Sequence, residues 1–358
     1  MKKIKVVSLG PTSSQHIQKW IGPFEEEIDS TVITLHPGGA RFTASEVISL
    51  RKYTGTKLDF LLNLFTVWRL LAKQKPDIVH FHFLSSYGLF ALIPGRFSRI
   101  LSAWGSDVNL SLKKNLIVKS VIKAALARFD CINSPALHIK DKLVSLGANR
   151  ELIETFQYGV TIPTELVKSS PQMRHPIRFV STRNWQDLYC IDKLVEGFCR
   201  FVENSKVDAV LYLYGGGGAS DRERILTILS NYDASVTDKV VVKGYCEYNV
   251  LLKDLSTMDI FVSIPTRDGT PLSLLEAMGV GLYPIVSDID ANRECLDDQT
   301  ATFIEGWEPS QIEVAIARSI ERFSLSNSWL EVNKRIISGK YSYDKNTARM
   351  KSLYERFS

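Results

Sequence analysis

Short, continuous runs of apolar and β-branched residues alternate along this chain with longer stretches whose apolar positions recur at helical spacing. Strand-length runs fall at Lys3–Leu9, Thr31–Leu35, Asp77–Phe83, Ile100–Ser102 and Cys131–Ser134. A second series falls at Ile177–Ser181, Val210–Tyr214, Val240–Tyr245, Ile260–Ile264, Tyr283–Ser287 and Thr302–Ile304. The first run leads through Gly10 and Pro11 into a helical stretch, the strand, glycine turn and helix that begin many doubly wound domains. Asp59–Lys75 predicts one long helix, apolar on most sides and therefore well buried. Leu110–Phe129 predicts a basic amphipathic helix, and the tail from Trp329 to Ser358 a charged helical segment. Between the two series lies the polar stretch Pro163–Pro176, which holds three prolines and marks a boundary. The expected class is α/β, with two Rossmann-like, doubly wound domains at 1–165 and 166–330.

Composition narrows the setting. A chain of 358 residues exceeds what one core usually covers, and 45% hydrophobic with 10% aromatic residues argues for a fully globular protein. No run reaches the roughly 20 apolar residues of a membrane span. The first residues start like a signal peptide, but their apolar part stops at Gly10-Pro11, which favours a first strand. Five cysteines, odd in number and scattered, give no metal knuckle and point to a reducing cytoplasm. The net charge of +5 permits an anionic partner, and the absence of a base-reading basic helix disfavours nucleic acid. The basic stretch at 110–129 has two readings, contact with a membrane surface or an ordinary helix with solvated lysines.

Candidate chemistry concentrates between Asp259 and Glu294. The strand Ile260–Ile264 runs into an acidic glycine turn, and the next helix is expected from Pro271 to about Gly279, with Thr270 as its cap. That helix start aims the amides of Leu272, Ser273 and Leu274 at whatever lies above the strand end, and an anion is the expected guest. Asp268 precedes those amides, and Glu276 lies one turn below Leu272 on the same face. Carboxylates cannot bind phosphate by charge, so both are expected to accept hydrogen bonds from ligand hydroxyls, as a phosphate attached to sugars would offer. Other candidates read as structure. His80 and His82 share a strand face without a third metal ligand, Gly215–Gly218 lacks the ending of a phosphate-binding P-loop, and Asp288-Ile289-Asp290 reads as loop and cap chemistry.

The order Asp268, Gly269, Pro271, Leu275-Glu276-Ala277-Met278, Gly281, Pro284 and Ser287-Asp288 resembles the signature of the retaining GT-B glycosyltransferases of family four. Asp77-Ile78-Val79-His80, Tyr158-Gly159-Val160 and Arg183 resemble further landmarks of that family. Three departures stand out: Asp268 replaces the usual glutamate, Trp104 a histidine, and Tyr189 with Cys190 a lysine. Tryptophan can stack on a sugar face and donate one hydrogen bond, but it cannot act as a base.

The resemblance implies two domains facing a cleft, with a terminal helix, 331–358, crossing back to the first. It implies transfer of a sugar, with retention, from a nucleotide-sugar to a saccharide or lipid-linked acceptor in bacterial surface polysaccharide synthesis. In that reading Glu276 takes the ribose hydroxyls, Asp268 the hydroxyls of the transferred sugar, and Arg183 the diphosphate. Gly269, Thr270, Pro271, Leu272, Ser273, Tyr245, Cys246, Gly215 and Gly216 line the donor side, and Gly10, His16, Trp104 and Asp107 the acceptor side. No metal or other cofactor is expected, and the setting is cytoplasmic or peripheral at the inner face of the membrane. Two other readings remain open at this level: a glycoside hydrolase using paired carboxylates, and a non-catalytic partner that keeps the fold.

Overall fold

The computed structural model describes residues 3–39, 42–325 and 327–358, which form two compact units. The first comprises residues up to Tyr158 together with Tyr343–Ser358, and the second Gly159–Ser342.

In the first unit the strands are β1 (Lys5–Leu9), β2 (Asp29–Thr34), β3 (Glu46–Ser49), β4 (Ile78–His82), β5 (Ser98–Ser102), β6 (Cys131–Ser134) and β7 (Ile153–Thr155). They form one parallel sheet in the order β3-β2-β1-β4-β5-β6-β7. The second unit repeats the plan with β8 (Ile177–Ser181), β9 (Ala209–Tyr214), β10 (Val240–Gly244), β11 (Ile260–Ser263), β12 (Tyr283–Ser287) and β13 (Thr302–Ile304), ordered β10-β9-β8-β11-β12-β13. Both sheets are doubly wound. The order reverses between β1 and β4 in one and between β8 and β11 in the other, and chain connections diverge there to leave a crevice at the strand ends. Helices cover both faces, so the central strands are apolar throughout, as the unbroken burial of β11 and β12 illustrates.

Several expectations change. The helix expected over Asp59–Lys75 is two, Leu58–Leu62 and Leu64–Gln74, separated at Asn63, whose side-chain amide donates to the carbonyls of Asp59 (2.8 Å) and Arg51 (3.0 Å). It is not well buried: Val67 and Leu71 enter the core while Leu58, Leu61, Leu62, Phe65 and Trp68 stay exposed. The basic stretch at 110–129 also divides, into Ser106–Leu112 and Leu116–Leu126, the second capped by Asn115, whose side chain accepts from the Val118 amide at 3.0 Å. The helical tail is two helices. Ser328–Lys340 belongs to the second unit and Tyr343–Phe357 to the first, where the Tyr354 hydroxyl meets His80 Nδ1 at 2.7 Å. The stretch expected as a linker, Pro163–Pro176, packs on the second unit: the Lys168 amide donates to the Val280 carbonyl (2.9 Å) and Arg174 pairs with buried Asp259 (2.9 Å). The pair His80 and His82 is packing, with ring centroids 4.2 Å apart and His80 Nε2 bonded to the Ser102 hydroxyl at 2.8 Å. Among the described residues no helix is long and apolar enough to cross a membrane.

Candidate functional site

In the second unit the crevice between β8 and β11 gathers residues that are far apart in sequence. Arg183 leaves the end of β8 and reaches the loop beyond β11, where its Nε donates to the Ser263 hydroxyl at 2.9 Å and its Nη2 pairs with the Asp268 carboxylate. Both side chains keep a solvent path, 11% and 18% exposed, so the pair is dry enough to hold and open enough to be exchanged for a ligand. The guanidinium lies 4.9 Å from the centre of the Tyr189 ring, a cation–π contact at the position where the resemblance expects lysine. The Thr266 amide donates to the Leu188 carbonyl at 2.9 Å, which stitches the two loops together and sets exposed Arg267 beside this cluster.

The helix above the crevice is Leu272–Val280, one residue later than expected. Pro271, not Thr270, stands at its N-cap, with no side-chain capping bond. The Leu274 amide is spent on the Pro271 carbonyl at 3.0 Å, leaving those of Leu272 and Ser273 ahead of the first intrahelical bond. The Ser273 hydroxyl is buried there without a protein partner. Asp268 Oδ1 accepts from the Gly269 amide at 2.8 Å, fixing the carboxylate at the mouth of this turn. Glu276 is buried on the same helix, and Tyr248 hydrogen-bonds its carboxylate; burial and that negative charge raise the phenol's pKa above the ordinary tyrosine value. Sequence reasoning did not single out Tyr248, because its link to Glu276 joins different helices.

The glycine run forms the adjoining wall. Gly215 has φ +80°, and a β-carbon there would sit 2.8 Å from the Arg183 carbonyl, so only glycine fits this approach. The Trp185 amide donates to the Gly216 carbonyl at 3.0 Å, and the Tyr245 hydroxyl donates to the Asn184 side chain at 3.0 Å. Tyr245 is 75% exposed and Cys246 is exposed, so both are free to meet a ligand rather than pack a core. Asp288 is held by Arg293 through two bonds of 2.7 and 2.8 Å, in keeping with a loop role.

In the first unit the corresponding crevice carries Gly10, His16 and Trp104. A β-carbon on Gly10 would meet Ile17 at 2.6 Å and His82 at 3.0 Å, which explains glycine at this turn. His16 stacks on Trp104 with ring centroids 5.0 Å apart and planes at 26°, while its Nδ1 bonds the Tyr158 hydroxyl at 2.7 Å. Burial, with Lys19 adding to it, lowers the His16 pKa to about 4, so the ring is neutral near pH 7. The Trp104 indole N–H is buried without a protein partner. Asp107 is sealed: its carboxylate accepts from the Leu84 amide at 2.6 Å and the Trp104 amide at 3.0 Å, so it shapes the Trp104 loop instead of presenting itself to an acceptor. Trp20, one turn along the helix from His16, is buried edge-on against Phe156 and Tyr158 and is packing.

The sequence pattern described as "Glycosyl transferase 4-like" matches residues 5–135, and that described as "Glycosyl transferases group 1" matches residues 177–322. An uncharacterized glycosyltransferase of Methanocaldococcus jannaschii is 21% identical over 168 residues, 46% of this chain and 42% of the relative, so the match spans about two fifths of that protein's length. The structure of HepE from Anabaena in complex with UDP-glucose is similar with a TM-score of 0.77 at 11% identity, covering 99% of this chain and 100% of that one. The lipopolysaccharide outer core galactosyltransferase WaaB, in its apo form, gives a TM-score of 0.66 at 16% identity, with coverage of 99% and 95%. At these identities the structural likeness is one of fold.

Proposed function

This chain belongs to the group 1 glycosyl transferases and has the GT-B fold, and on that premise we propose that it moves a sugar, with retention of anomeric configuration, from a UDP-sugar to a saccharide or lipid-linked saccharide acceptor. The observation that carries the reading is the convergence, at one switch-point crevice, of Arg183, Asp268, the open amides of Leu272 and Ser273, and buried Glu276. Cation and helix amides suit the diphosphate, and the two carboxylates suit hydroxyls on either side of it. Glu276 takes the ribose hydroxyls and Asp268 those of the transferred sugar, while Gly215, Gly216 and Tyr245 flank the nucleoside.

In the transfer step the acceptor hydroxyl oxygen bonds to the anomeric carbon on the face that the diphosphate leaves. The carbon–oxygen bond to the diphosphate breaks, and the hydroxyl proton passes to a donor phosphate oxygen. Arg183, Leu272 and Ser273 stabilise the charge that grows on the leaving group, so the step asks for no bound metal and no protein base. Neutral His16 and Trp104 form an aromatic floor for the acceptor sugar. The WaaB likeness and the basic stretch at 110–129 support a role in bacterial surface polysaccharide synthesis at the cytoplasmic face of a membrane.

Calorimetric titration with UDP and UDP-sugars tests the reading. Glu276→Ala is expected to lose most of the nucleotide affinity while remaining folded. An unchanged dissociation constant in a folded variant would overturn the ribose role, and no binding of any nucleotide by the parent protein would overturn the donor site.

A further inference from the structure

We propose that a cavity at the carboxyl edge of the first sheet binds the anionic group of an acceptor sugar, a carboxylate or a phosphate ester, which makes the acceptor a charged saccharide. The inference rests on the acceptor reading given above and names its chemical class. The cavity measures about 630 Å³, within the range of about 300–1,000 Å³ common for small-molecule sites, so a sugar unit and its charged group have room there. Leu35 and His36 follow β2, residues 52–60 follow β3, and Ser85 and Ser86 follow β4. Its walls thus come from three strand ends, on the edge where doubly wound sheets hold their ligands. Two of those walls are tied to the acceptor-side turns. The His36 carbonyl accepts from the Ser13 amide, in the turn after Gly10, at 3.0 Å, and the Asp107 carboxylate joins the Leu84 amide to the Trp104 amide.

The lining is positive and held in place. Its acid among the described residues is Asp59, whose buried carboxylate accepts from the amides of Tyr53, Thr54 and Gly55 at 3.0, 2.8 and 2.9 Å and so folds the 52–59 loop around itself. The Asn63 side-chain amide clamps both ends of that loop through the Arg51 and Asp59 carbonyls. Lys52 and Lys57 stand on the loop, exposed and without an ion-pair partner among the described residues, so two ammonium groups face one occupied carboxylate. The third donor is fixed by lone-pair arithmetic. The Thr34 hydroxyl accepts from the amides of Thr12 (3.3 Å) and His36 (3.0 Å), which leaves its own hydrogen for the Tyr87 hydroxyl at 3.4 Å. The Tyr87 oxygen also accepts from the Leu35 amide at 2.9 Å, so the phenol hydrogen goes to His36 Nδ1 at 2.9 Å. His36 therefore carries its hydrogen on Nε2. Burial, with Lys52 adding to it, lowers the His36 pKa and keeps this neutral form near pH 7. Two ammonium groups, a ring N–H and the hydroxyls of Ser85 and Ser86 can all donate, which is the complement of an oxyanion. Leu35 and Phe60 supply the apolar wall on which a sugar ring rests.

Ligand-observed saturation-transfer NMR on the full-length protein reads binding without any transfer. The probes are glucuronate, galacturonate, glucose 6-phosphate and galactose 6-phosphate, each beside its neutral hexose, together with inorganic phosphate. At least one charged sugar is expected to bind about tenfold or more tightly than its neutral parent. Lys52→Gln combined with Lys57→Gln should remove that advantage, and Lys52→Arg combined with Lys57→Arg should keep most of it, because the charge and not the side-chain shape is required. UDP affinity, measured by calorimetry, should be the same in all three proteins, since the donor groups lie in the second unit. A preference for the uronates assigns a carboxylate, and a preference for the phosphate esters assigns a phosphate. Binding by none of the charged sugars, equal binding by the neutral hexoses, or an undiminished advantage in the glutamine variant would overturn the proposal. Inorganic phosphate that binds as tightly as the sugar phosphates would also overturn it, by leaving an anion site with no place for a sugar. Charged-sugar binding that depends on the lysines in a protein that binds no UDP would refute the donor site and leave this cavity standing.

Discussion

Replacing Arg183 by alanine removes the cation that faces Asp268 across the crevice, and the structure allows its effect to be sized. In the unliganded protein the guanidinium is already engaged by Ser263, Asp268 and the Tyr189 ring, so a diphosphate must displace or share those contacts. One or two charge-assisted hydrogen bonds to phosphate contribute about 1.5–3 kcal/mol each. Giving up a partly exposed ion pair costs about 1 kcal/mol in return. The net loss on Arg183→Ala is then about 2 kcal/mol, or about 30-fold weaker UDP binding. Asp268→Asn should behave differently, with UDP affinity held or improved because the competing carboxylate is gone, and turnover lowered because the sugar hydroxyls lose their acceptor. In the double variant the two binding effects should fail to add by about 1 kcal/mol, since each change removes the same pair. Isothermal titration with UDP, paired with initial rates on a UDP-sugar, measures all three. A folded Arg183→Ala protein that binds UDP within twofold of the parent would refute the assignment of the diphosphate to this crevice.

Other outcomes follow from the same geometry. Gly215→Ala forces a β-carbon to within 2.8 Å of the Arg183 carbonyl at a φ of +80°, so it should weaken UDP binding by pushing the Arg183 loop even if the protein stays folded; unchanged calorimetry would contradict that packing. Gly159→Ala, where a β-carbon would lie 2.2 Å from the Tyr341 carbonyl at a φ of +86°, should cost about 3 kcal/mol or more in urea unfolding, and a loss below about 1 kcal/mol would show that the backbone yields. Burial lowers His16 to about 4 and His80 to about 3, whereas an unfolded histidine protonates near 6.5. Between pH 6.5 and about 4 the unfolded chain thus binds protons that the native state refuses, and stability should fall as pH falls, by up to about 1.4 kcal/mol per unit for each histidine. Urea midpoints at pH 7.5 and pH 5 check this, and equal midpoints would contradict the buried, neutral rings.

Much of the architecture is written locally. The strand Ile260–Ser263, its acidic turn and the helix beyond it follow from β-branched runs, a proline at a helix start and glycine at its end, all read within a few residues. That Pro271 is the cap and that Leu274 spends its amide is decided by how the turn packs, which shifts the usable donors to Leu272 and Ser273. The partnership of Arg183 with Asp268 spans 85 positions and exists because β8 and β11 are neighbours in the sheet. The bond from Tyr248 to Glu276 likewise depends on two helices meeting. Asp107, expected at the acceptor, is consumed by two backbone amides that only the folded loop brings to it.

The pattern of apolar and polar positions determined the two series of strands and helices and the acidic turn ahead of the helix Leu272–Val280, because periodicity and turn chemistry act over a few residues. It did not determine which apolar faces are covered. The stretch Asp59–Lys75 is apolar on most sides in sequence, yet only one side meets the sheet and the other is left exposed. Burial depends on what the rest of the chain lays against a surface, and that is settled only when elements distant in sequence pack together.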